Sequence, residues 1–193
     1  IISDKVIFCS NAFLGSMRVK KRHNFPLTLT ASLTRQLTEK EYEMIGRPKE
    51  WGVLPVRPLG ATVRLTKDKR ILIRNTGEYR NPNFMDQQTL NKRILIHKKG
   101  LKKRFPSLPD NIISSSWSGV VSRSSNGSQI FEKIDKNIFV AGSYFGSGIG
   151  AGTLFGEQIA IKACGESSNE IEVIEKRKKP NWIPPEPFLS LGV

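Results

Sequence analysis

The sequence predicts an α+β fold in which an antiparallel sheet with helices precedes a strand, a glycine-rich loop and a further helix. Residues 61–66 and 70–76 alternate apolar and polar side chains around a tight turn at 67–69, which predicts a β-hairpin. Residues 90–104 carry apolar side chains at helical spacing among basic ones and predict an amphipathic helix. Residues 137–160 begin with an apolar run, continue with closely spaced glycines and end with helical spacing.

The composition is that of a globular protein, with 193 residues, 38% of them apolar, and a mean hydropathy of −0.32. No apolar run is long enough to cross a bilayer, and the first residues lack the pattern of a signal peptide. We therefore expect a cytoplasmic protein without a membrane partner. Because the chain begins without Met and enters almost directly into a strand, we also expect it to be the later part of a longer protein.

The cysteines and histidines do not form a metal-binding pattern. Cys9 and Cys164 each lie within an apolar run, which predicts buried thiols in a reducing compartment. His23 and His97 lie among lysines and arginines and have no companions at metal-ligand spacing, so we expect both at the surface. The sequence predicts no metal site.

A formal net charge of +14 raises the hypothesis of nucleic-acid binding. The basic residues are dispersed over 18–22, 67–74, 92–104 and 176–179, with no interleaved aromatic strip and no zinc-finger, helix-turn-helix or RNP pattern. This distribution favours a solvated basic surface over a nucleic-acid interface.

The first half of the chain predicts two strands and a capped helix. Residues 5–10 are typical of a buried strand that ends in the polar turn 11–13, where α/β folds place ligands. Leucine and threonine alternate over residues 24–38, which indicates a half-buried strand with a threonine-rich second face. Thr38 followed by Glu41 predicts a capping box at the start of a short helix.

Three later features leave alternatives open. Arg64 and Arg74 project from predicted strands, where they face solvent or meet an anionic ligand or a partner carboxylate. Trp117 stands among small residues in the predicted strand 112–122. These small residues either make room for a flat ligand or surround a tryptophan that is packed in the core. Beyond residue 166, the sequence predicts one more strand at 171–174 and an extended proline-rich tail.

The glycine-rich loop is the strongest candidate for a ligand site. Ile138–Ala141 predicts a buried strand, and Thr153 is predicted to cap the next helix. The glycines at 142, 146, 148, 150 and 152 let the backbone approach another group closely. Free N–H groups and the helix dipole suit an anion or an electron-rich ring edge. Too few strands follow for a complete dinucleotide fold, so we expect the loop to close a site built from earlier segments. No nucleophile or metal constellation accompanies it, so any chemistry would come from a cofactor.

The order of these segments resembles the C-terminal half of the FAD-dependent oxidoreductases of the D-amino acid oxidase type. That family includes glycine and sarcosine oxidases and γ-glutamylputrescine oxidoreductase-like enzymes. A "fP-x-L…W-x-G" passage is similar to residues 105–108 and 117–119, and the closing "N-(I/V)-(F/Y)-x-A-G-x…G-x-G-x-x-x-G-T-x-x-G-x-x-(I/L)-A" signature is nearly complete at residues 137–160.

The resemblance implies how the chain is divided. Residues 1–20 would end an FAD-binding, Rossmann-like domain whose N-terminal half is missing. Residues 21–136 would form the substrate-binding domain, 137–166 the closing part of the FAD domain, and 167–193 an extended tail.

The resemblance also implies a cofactor, a reaction and site residues. FAD would accept a hydride from an amine or amino acid C–N bond, and the imine would be hydrolysed. The implied cofactor-binding residues are Asn11, Trp117, Ser118, Gly119, Gly142, Gly146, Ser147, Gly148, Ile149, Gly150, Gly152 and Thr153. The implied substrate-binding residues are Tyr144, Phe145 and Arg74. The implied partners are a small amine or amino acid and the missing N-terminal FAD-binding segment.

Two departures from the family pattern leave the substrate open. Ser147 and Gly150 stand where sarcosine-oxidase-like members carry a lysine, and residues 122–127 replace the usual "T-x-D-x-x-P" passage. An amine is therefore as compatible as an amino acid, with Arg64, Arg70 and Arg74 as candidate carboxylate partners. The alternative hypothesis is a non-catalytic binding module whose basic surface contacts a partner, including nucleic acid.

Overall fold

The computed structural model describes residues 2–56, 60–80 and 84–191. The chain divides into two compact units, one formed by Ile1–Leu27 with Val120–Val193 and the other by Thr28–Gly119. The predicted mixture of helices with an antiparallel sheet is confirmed.

The antiparallel sheet has five strands, which are β2 (Phe25–Thr34), β3 (Trp51–Val53), β4 (Thr62–Leu65), β5 (Ile71–Glu78) and β6 (Ile113–Arg123). Their order in the sheet is β3–β4–β5–β2–β6. β4 and β5 form the predicted hairpin, in which Val63 pairs with Ile73. The helices of the unit Thr28–Gly119 are α1 (Glu39–Met44) and α2 (Gln87–Arg104).

An apolar core holds α2 against β4 and β5. Leu101 of α2 belongs to one buried cluster with Val63, Leu65 and Ile71. Gly100 allows the helix to approach the sheet, because a Cβ there would lie 2.9 Å from Cδ1 of Ile73. In the described part of the chain, α2 and the other helices fall short of the length and apolar character that a bilayer span requires.

A second, polar layer lies between α2 and β2. The hydroxyl side chains of Thr30, Ser32 and Thr34 are almost completely buried, and so is His97 of α2. The His97 ring hydrogen-bonds to Ser32 Oγ through Nδ1 at 2.7 Å and to Thr30 Oγ1 through Nε2 at 3.2 Å. The predicted surface position of His97 is therefore wrong, because the threonine-rich face of β2 supplies the partners that a buried imidazole needs. Burial lowers the pKa of His97.

The predicted capping box at the start of α1 is confirmed. Thr38 Oγ1 accepts a hydrogen bond from Glu41 N–H at 3.2 Å, and the Glu41 carboxylate accepts one from Thr38 N–H at 2.8 Å. Arg35 adds a bidentate pair to the same carboxylate at 2.6 and 2.7 Å. The hydrogen bonds from Arg35 and Thr38 outweigh desolvation and lower the pKa of Glu41 to about 2.

The other unit contains a three-stranded sheet of β1 (Val6–Phe8), β8 (Ile138–Gly142) and β7 (Ile130–Asp135), in that order. β1 runs parallel to β8, and β7 is antiparallel to β8. α3 (Gly150–Cys164) and α4 (Asn169–Glu175) belong to the same core as β7 and β8, built around Phe131, Phe139, Phe155, Ile159 and Ile171. A 3₁₀ turn, Asn11–Phe13, follows β1, and α5 (Phe188–Leu191) is the last element.

Residues 171–174 form part of helix α4 and not the predicted strand, because Ser168 caps a helix there by accepting a hydrogen bond from Ile171 N–H at 3.1 Å. Residues 167–193 are consequently not all extended, although Ile183 does anchor an irregular stretch through its N–H bond to Arg22 O at 2.7 Å. β7 pairs with β8 across the predicted domain boundary at residue 136.

The predicted burial of β1 and of both thiols is also wrong. Val6 is 41% exposed and Ile7 is 40% exposed, and Cys9 and Cys164 are exposed as well. Among the described strands β1 pairs only with β8, so its second edge lacks a neighbour that would cover these side chains.

We predict that the Glu41 carboxylate stabilises the protein in a pH-dependent way. Because its folded-state pKa lies below the unfolded value, the stabilisation is complete above pH 4.5 and is lost as pH falls toward 2. Glu41→Gln should lower the free energy of unfolding by about 2 kcal/mol at neutral pH. Denaturant titrations of both proteins at several pH values measure this difference. A difference that stayed constant down to pH 2.5 would contradict the assignment to the carboxylate charge.

Candidate functional site

Asn11 fixes the point at which β8 ends and the glycine-rich loop begins. Its side-chain Oδ1 accepts hydrogen bonds from Ser143 N–H at 3.0 Å and from Tyr144 N–H at 3.3 Å. Asn11 itself adopts a left-handed conformation with φ 46°, which asparagine tolerates better than most residues. A residue that precedes the loop by more than 130 positions therefore sets its first turn.

Gly142 permits this contact because it has no side chain. A Cβ at Gly142 would lie 2.6 Å from Cδ1 of Leu14 and 3.4 Å from Cα of Asn11. Leu14 is completely buried and has no room to move aside. The sequence prediction that the backbone approaches another group closely at Gly142 is correct, and the group is the 3₁₀ turn of the chain itself.

The loop leaves the sheet through a series of left-handed residues. Ser143, Phe145 and Gly146 have φ values of 64°, 48° and 81°. Phe145 N–H donates to Ser122 O of β6 at 3.0 Å, which ties the loop to the strand that precedes β7. These contacts hold the loop open, and residues 145–150 are all exposed.

Helix α3 begins at Gly150, three residues before the predicted cap at Thr153. Thr153 Oγ1 donates to Ile149 O at 2.6 Å, so Thr153 lies inside the helix and is not its N-cap. Gly152 lies in the first turn of the helix, where a Cβ would come 3.4 Å from Cε2 of Tyr144. The predicted glycine-rich loop therefore ends before Gly150, and Gly150 and Gly152 belong to the helix.

The backbone at the start of α3 presents unused hydrogen-bond donors. Ala151 N–H and Gly152 N–H donate to the carbonyl oxygens of Ser147 and Gly148 at 2.9 and 3.0 Å. The N–H groups of Gly148, Ile149 and Gly150 have no acceptor among the described residues. A Cβ at Gly148 or at Gly150 would meet nothing within 4 Å. The donors are therefore open to solvent at the positive end of a 15-residue helix.

The two aromatic residues predicted to line a substrate pocket have different environments. Tyr144 is buried in the core, where its ring packs edge-on against Phe155 at a centroid distance of 5.9 Å. Burial raises the pKa of Tyr144 to about 12, so its hydroxyl stays protonated. Phe145 is 41% exposed, and the guanidinium of Arg123 lies 4.4 Å from the centre of its ring. Only Phe145 has the exposure that a pocket wall requires.

Arg123 is a site residue that the sequence analysis missed. It ends β6 and stacks on Phe145, and it forms no ion pair with a carboxylate in the part of the chain that the structure describes. The only sequence signal was its place in the passage that departs from the family pattern. The structure thus puts an unpaired cation beside the exposed face of the loop.

Two buried hydroxyls near the loop lack partners. Ser143 Oγ and Ser122 Oγ are both inaccessible to solvent and have no hydrogen-bond partner among the described residues. Unpaired buried polar atoms are costly, so these two hydroxyls lower the stability of the structure around the loop. The open donors of Gly148, Ile149 and Gly150 are what make the loop suitable for a ligand with hydrogen-bonding edges.

The other predicted site residues belong to the unit Thr28–Gly119. Trp117 is 43% exposed and is not the packed core residue of the alternative interpretation, while Gly119 has open space where a Cβ would lie. Ser118 follows Trp117 on the same strand and is half-buried. The role of Trp117, Ser118 and Gly119 beside a cofactor stays a prediction.

The three candidate arginines of this sheet differ in their pairing. Arg70 is engaged by Asp68 at 2.9 Å, whereas Arg64 is exposed. Arg74 is half-buried and donates to Thr62 Oγ1 at 2.6 Å, and desolvation lowers the pKa of its guanidinium. Arg74 pairs with no carboxylate in the described residues, so it stays a candidate for an anion. In the same ranges, no three ligands of the His, Cys, Asp and Glu types come together at a metal-binding distance.

We predict that Gly142→Ala destabilises the protein by about 1–3 kcal/mol, because the new methyl group would overlap Leu14 and the backbone of Asn11. Gly148→Ala, which adds the same methyl group in open space, should change the free energy of unfolding by less than about 0.5 kcal/mol. Chemical denaturation compares the two variants. Equal effects at both positions would show that the contact with Asn11 and Leu14 does not govern the loop.

Structural comparison identifies several oxidases with the same fold. Glycine oxidase from Geobacillus kaustophilus aligns with a TM-score of 0.67 and 16% identity over 88% of this chain and 44% of its own. Iminodiacetate oxidase from Chelativorans sp. BNC1 aligns with a TM-score of 0.65 and 16% identity over 88% of this chain and 44% of its own. Fructosyl peptide oxidase from E. terrenum aligns with a TM-score of 0.66 and 11% identity over 94% of this chain and 46% of its own. The chain thus spans less than half the length of these proteins.

Sequence comparison gives the family. No curated protein sequence matches the chain. The family model described as "FAD dependent oxidoreductase", DAO, matches residues 2–160, which include β1, the antiparallel sheet, the glycine-rich loop and most of α3. FAD is the cofactor of this family. The chain belongs to the DAO family of FAD-dependent oxidoreductases.

Proposed function

We propose that this chain forms the closing half of a flavoenzyme that oxidises the C–N bond of an amine or amino acid. The single observation that carries the proposal is the row of unused N–H donors of Gly148, Ile149 and Gly150 at the positive end of α3. In a member of an FAD-dependent family, donors of this kind suit the pyrimidine edge of the isoalloxazine ring. When bound, the flavin would supply the hydride acceptor.

Gly148 and Gly150, which combine open space with an ordinary backbone φ at the start of α3, are central to this proposal. Gly142, Gly146 and Gly152 have reasons within the chain, namely a close contact, a left-handed φ and the neighbouring Tyr144 ring. Gly148 and Gly150 have neither crowding nor a left-handed φ. Their missing side chains are accounted for if a flat ring lies directly against the backbone.

An upstream segment would complete the flavin site. The second edge of β1 has no described partner strand, and Val6 and Ile7 are exposed beside it. A parallel strand followed by a glycine-rich phosphate-binding turn would cover this edge and bind the ADP part of FAD. The proposal thus assigns the ADP part to the upstream segment and the isoalloxazine ring to residues of this chain, with Trp117–Gly119 along the ring.

Arg123 is the residue best placed to orient an anionic substrate at the loop. Its guanidinium is held over the Phe145 ring, at 4.4 Å, and has no competing carboxylate in the described residues. A substrate carboxylate would complete this cation's hydrogen bonds, and Phe145 would line the substrate side of the loop. Arg74 in the other sheet is the second candidate, because it too is an arginine without a carboxylate.

A non-catalytic module with a basic surface is the less favoured alternative. The family match extends through the glycine-rich loop, and the open donors of that loop would have no role in such a module. The alternative predicts a flavin-free protein even when the upstream segment is present.

We predict that the protein produced with its upstream segment shows the visible absorption bands of a flavin and that the 193-residue chain alone does not. In the intact protein, Gly148→Val combined with Gly150→Val should weaken FAD binding by at least about 10-fold, because branched side chains would cover the donors. Absorption spectra and FAD titrations followed by flavin fluorescence measure both effects.

Gly156→Val is the matched control, because Gly156 lies in α3, as Gly150 does, and has open space around it but is remote from the open donors. It should retain FAD with unchanged affinity. An intact protein that shows no flavin band even after FAD is added would refute the proposal. If the variant with both Gly148→Val and Gly150→Val bound FAD with normal affinity, the protein would still be a flavoenzyme. The role assigned to the loop would then be wrong.

We predict that Arg123→Gln raises KM for amino acid substrates by about 10- to 100-fold and leaves kcat nearly unchanged, because a charged hydrogen bond to the carboxylate is lost. Oxidation of the corresponding amines, which lack the carboxylate, should be unaffected. Arg74→Gln removes the same charge from β5 and serves as the matched variant. Steady-state kinetics with a panel of amino acids and amines distinguishes the roles of the two arginines. A rise in KM confined to Arg74→Gln would contradict the role of Arg123.

A further inference from the structure

A cavity of about 230 Å³ lies in the unit that carries the glycine-rich loop, but none of the loop residues lines it. One wall comes from β7, a second from α3 and α4, and a third from residues 177–180. The proposed flavin function uses none of the residues that line this cavity. Arg177, Lys178 and Lys179 of the basic run 176–179, which was predicted to be solvated surface, thus line a concave site.

The cavity carries an excess of positive charge. Five cationic side chains line it, against the two carboxylates of Glu132 and Glu175. Glu132 pairs with Lys20 at 2.5 Å, and Glu175 pairs with Lys162. Within the described residues, no carboxylate pairs with the remaining four lining cations, which are Lys133, Arg177, Lys178 and Lys179. Four like charges around one cavity repel each other, so binding of an anion with two negative charges would relieve the repulsion.

Three apolar side chains form part of the inner surface of the cavity. Phe131, Phe155 and Ile174 line it and are buried to more than nine-tenths. The two phenyl rings meet edge-on at a centroid distance of 5.6 Å and an angle of 89°. The guanidinium of Arg177 lies 5.9 Å from the centre of the Phe155 ring, and the ammonium of Lys162 lies 5.7 Å from that of Phe131. Cations are thus held at the rim of an apolar surface.

The size and shape restrict the ligand. A volume of about 230 Å³ is below the usual range of about 300–1,000 Å³ for pockets that bind drug-sized molecules. A concave site of this size, with a cationic rim and two phenyl rings, accommodates one small molecule. It does not track a polymer, as a nucleic-acid groove does. Arg177 offers a planar fork and the lysines offer point charges, a combination that suits a phosphate group.

We propose that this cavity is a binding site for a small phosphate monoester with an apolar or aromatic organic part. The phosphate binds Arg177, Lys178 and Lys179, and the organic part lies on Phe131 and Phe155. The site is separate from the flavin and substrate positions proposed above and does not depend on them.

Calorimetric titration of the full chain with phenyl phosphate tests the proposal. Phenyl phosphate is largely dianionic at neutral pH, since its second pKa is near that of a protein phosphate, about 6, whereas benzoate presents a similar ring with one charge. Phenyl phosphate should bind at least about 10-fold more tightly than either benzoate or inorganic phosphate. The combined variant Arg177→Gln, Lys178→Gln and Lys179→Gln should weaken binding of phenyl phosphate by at least about 10-fold.

The control removes the same charge from another surface. Lys98, Lys99 and Lys103 of α2 are exposed and unpaired among the described residues, and their combined change to Gln should alter binding by less than about 2-fold. Unchanged melting temperatures would show that both variants fold. An equal loss of phenyl phosphate affinity in the two triple variants would mean that the ligand responds only to the total charge of the protein. That result would overturn the proposed site. Absence of phenyl phosphate binding, or equal binding of benzoate, would overturn it as well.

Discussion

The candidate site depends on one contact, in which the Asn11 side chain accepts hydrogen bonds from the N–H groups of Ser143 and Tyr144. The contact requires β1 and β8 to be parallel neighbours, because only then do the turns that follow them lie side by side. It also requires Gly142, since any side chain there would push the 3₁₀ turn away. From this point the left-handed residues direct the loop outward, and α3 returns to cover the sheet. The open donors at the start of α3 are a consequence of that path.

Local patterns predicted the elements that carry their own signals. The hairpin β4–β5, the helix α2 and the capping box of Thr38 and Glu41 depend on residues that are close in sequence, and all three are present. The start of α3 was misplaced because glycine and threonine preferences are weak, and the rest of the helix packs into the core and decides where it begins. Helix α4 was taken for a strand because a short apolar run does not distinguish the two.

Long-range contacts account for what the sequence did not reveal. His97 lies among basic residues, yet it is buried because the hydroxyls of β2, more than sixty positions earlier, hydrogen-bond to its ring. The alternation of leucine and threonine in β2 indicated two different faces correctly, but not that the polar face would be the one under a helix. Arg123 is the corresponding case at the site, because its importance comes only from the Phe145 ring beneath it. Neither pairing has a signal in its own neighbourhood of the sequence.

The large positive charge has two different physical meanings along the chain. On α2, Lys92, Lys98, Lys99 and Lys103 point away from the sheet, and the exposed apolar residues between them are Leu95 and Ile96, which provide no aromatic face for a base. Water and salt screen charges on such a convex surface, so they give little specific binding. Around the cavity between β7 and residues 177–180, similar charges surround a concave surface that includes two phenyl rings. A lower local dielectric there strengthens their attraction for an anion. The shape of the surface, more than the number of lysines, therefore determines where this protein can recognise an anion.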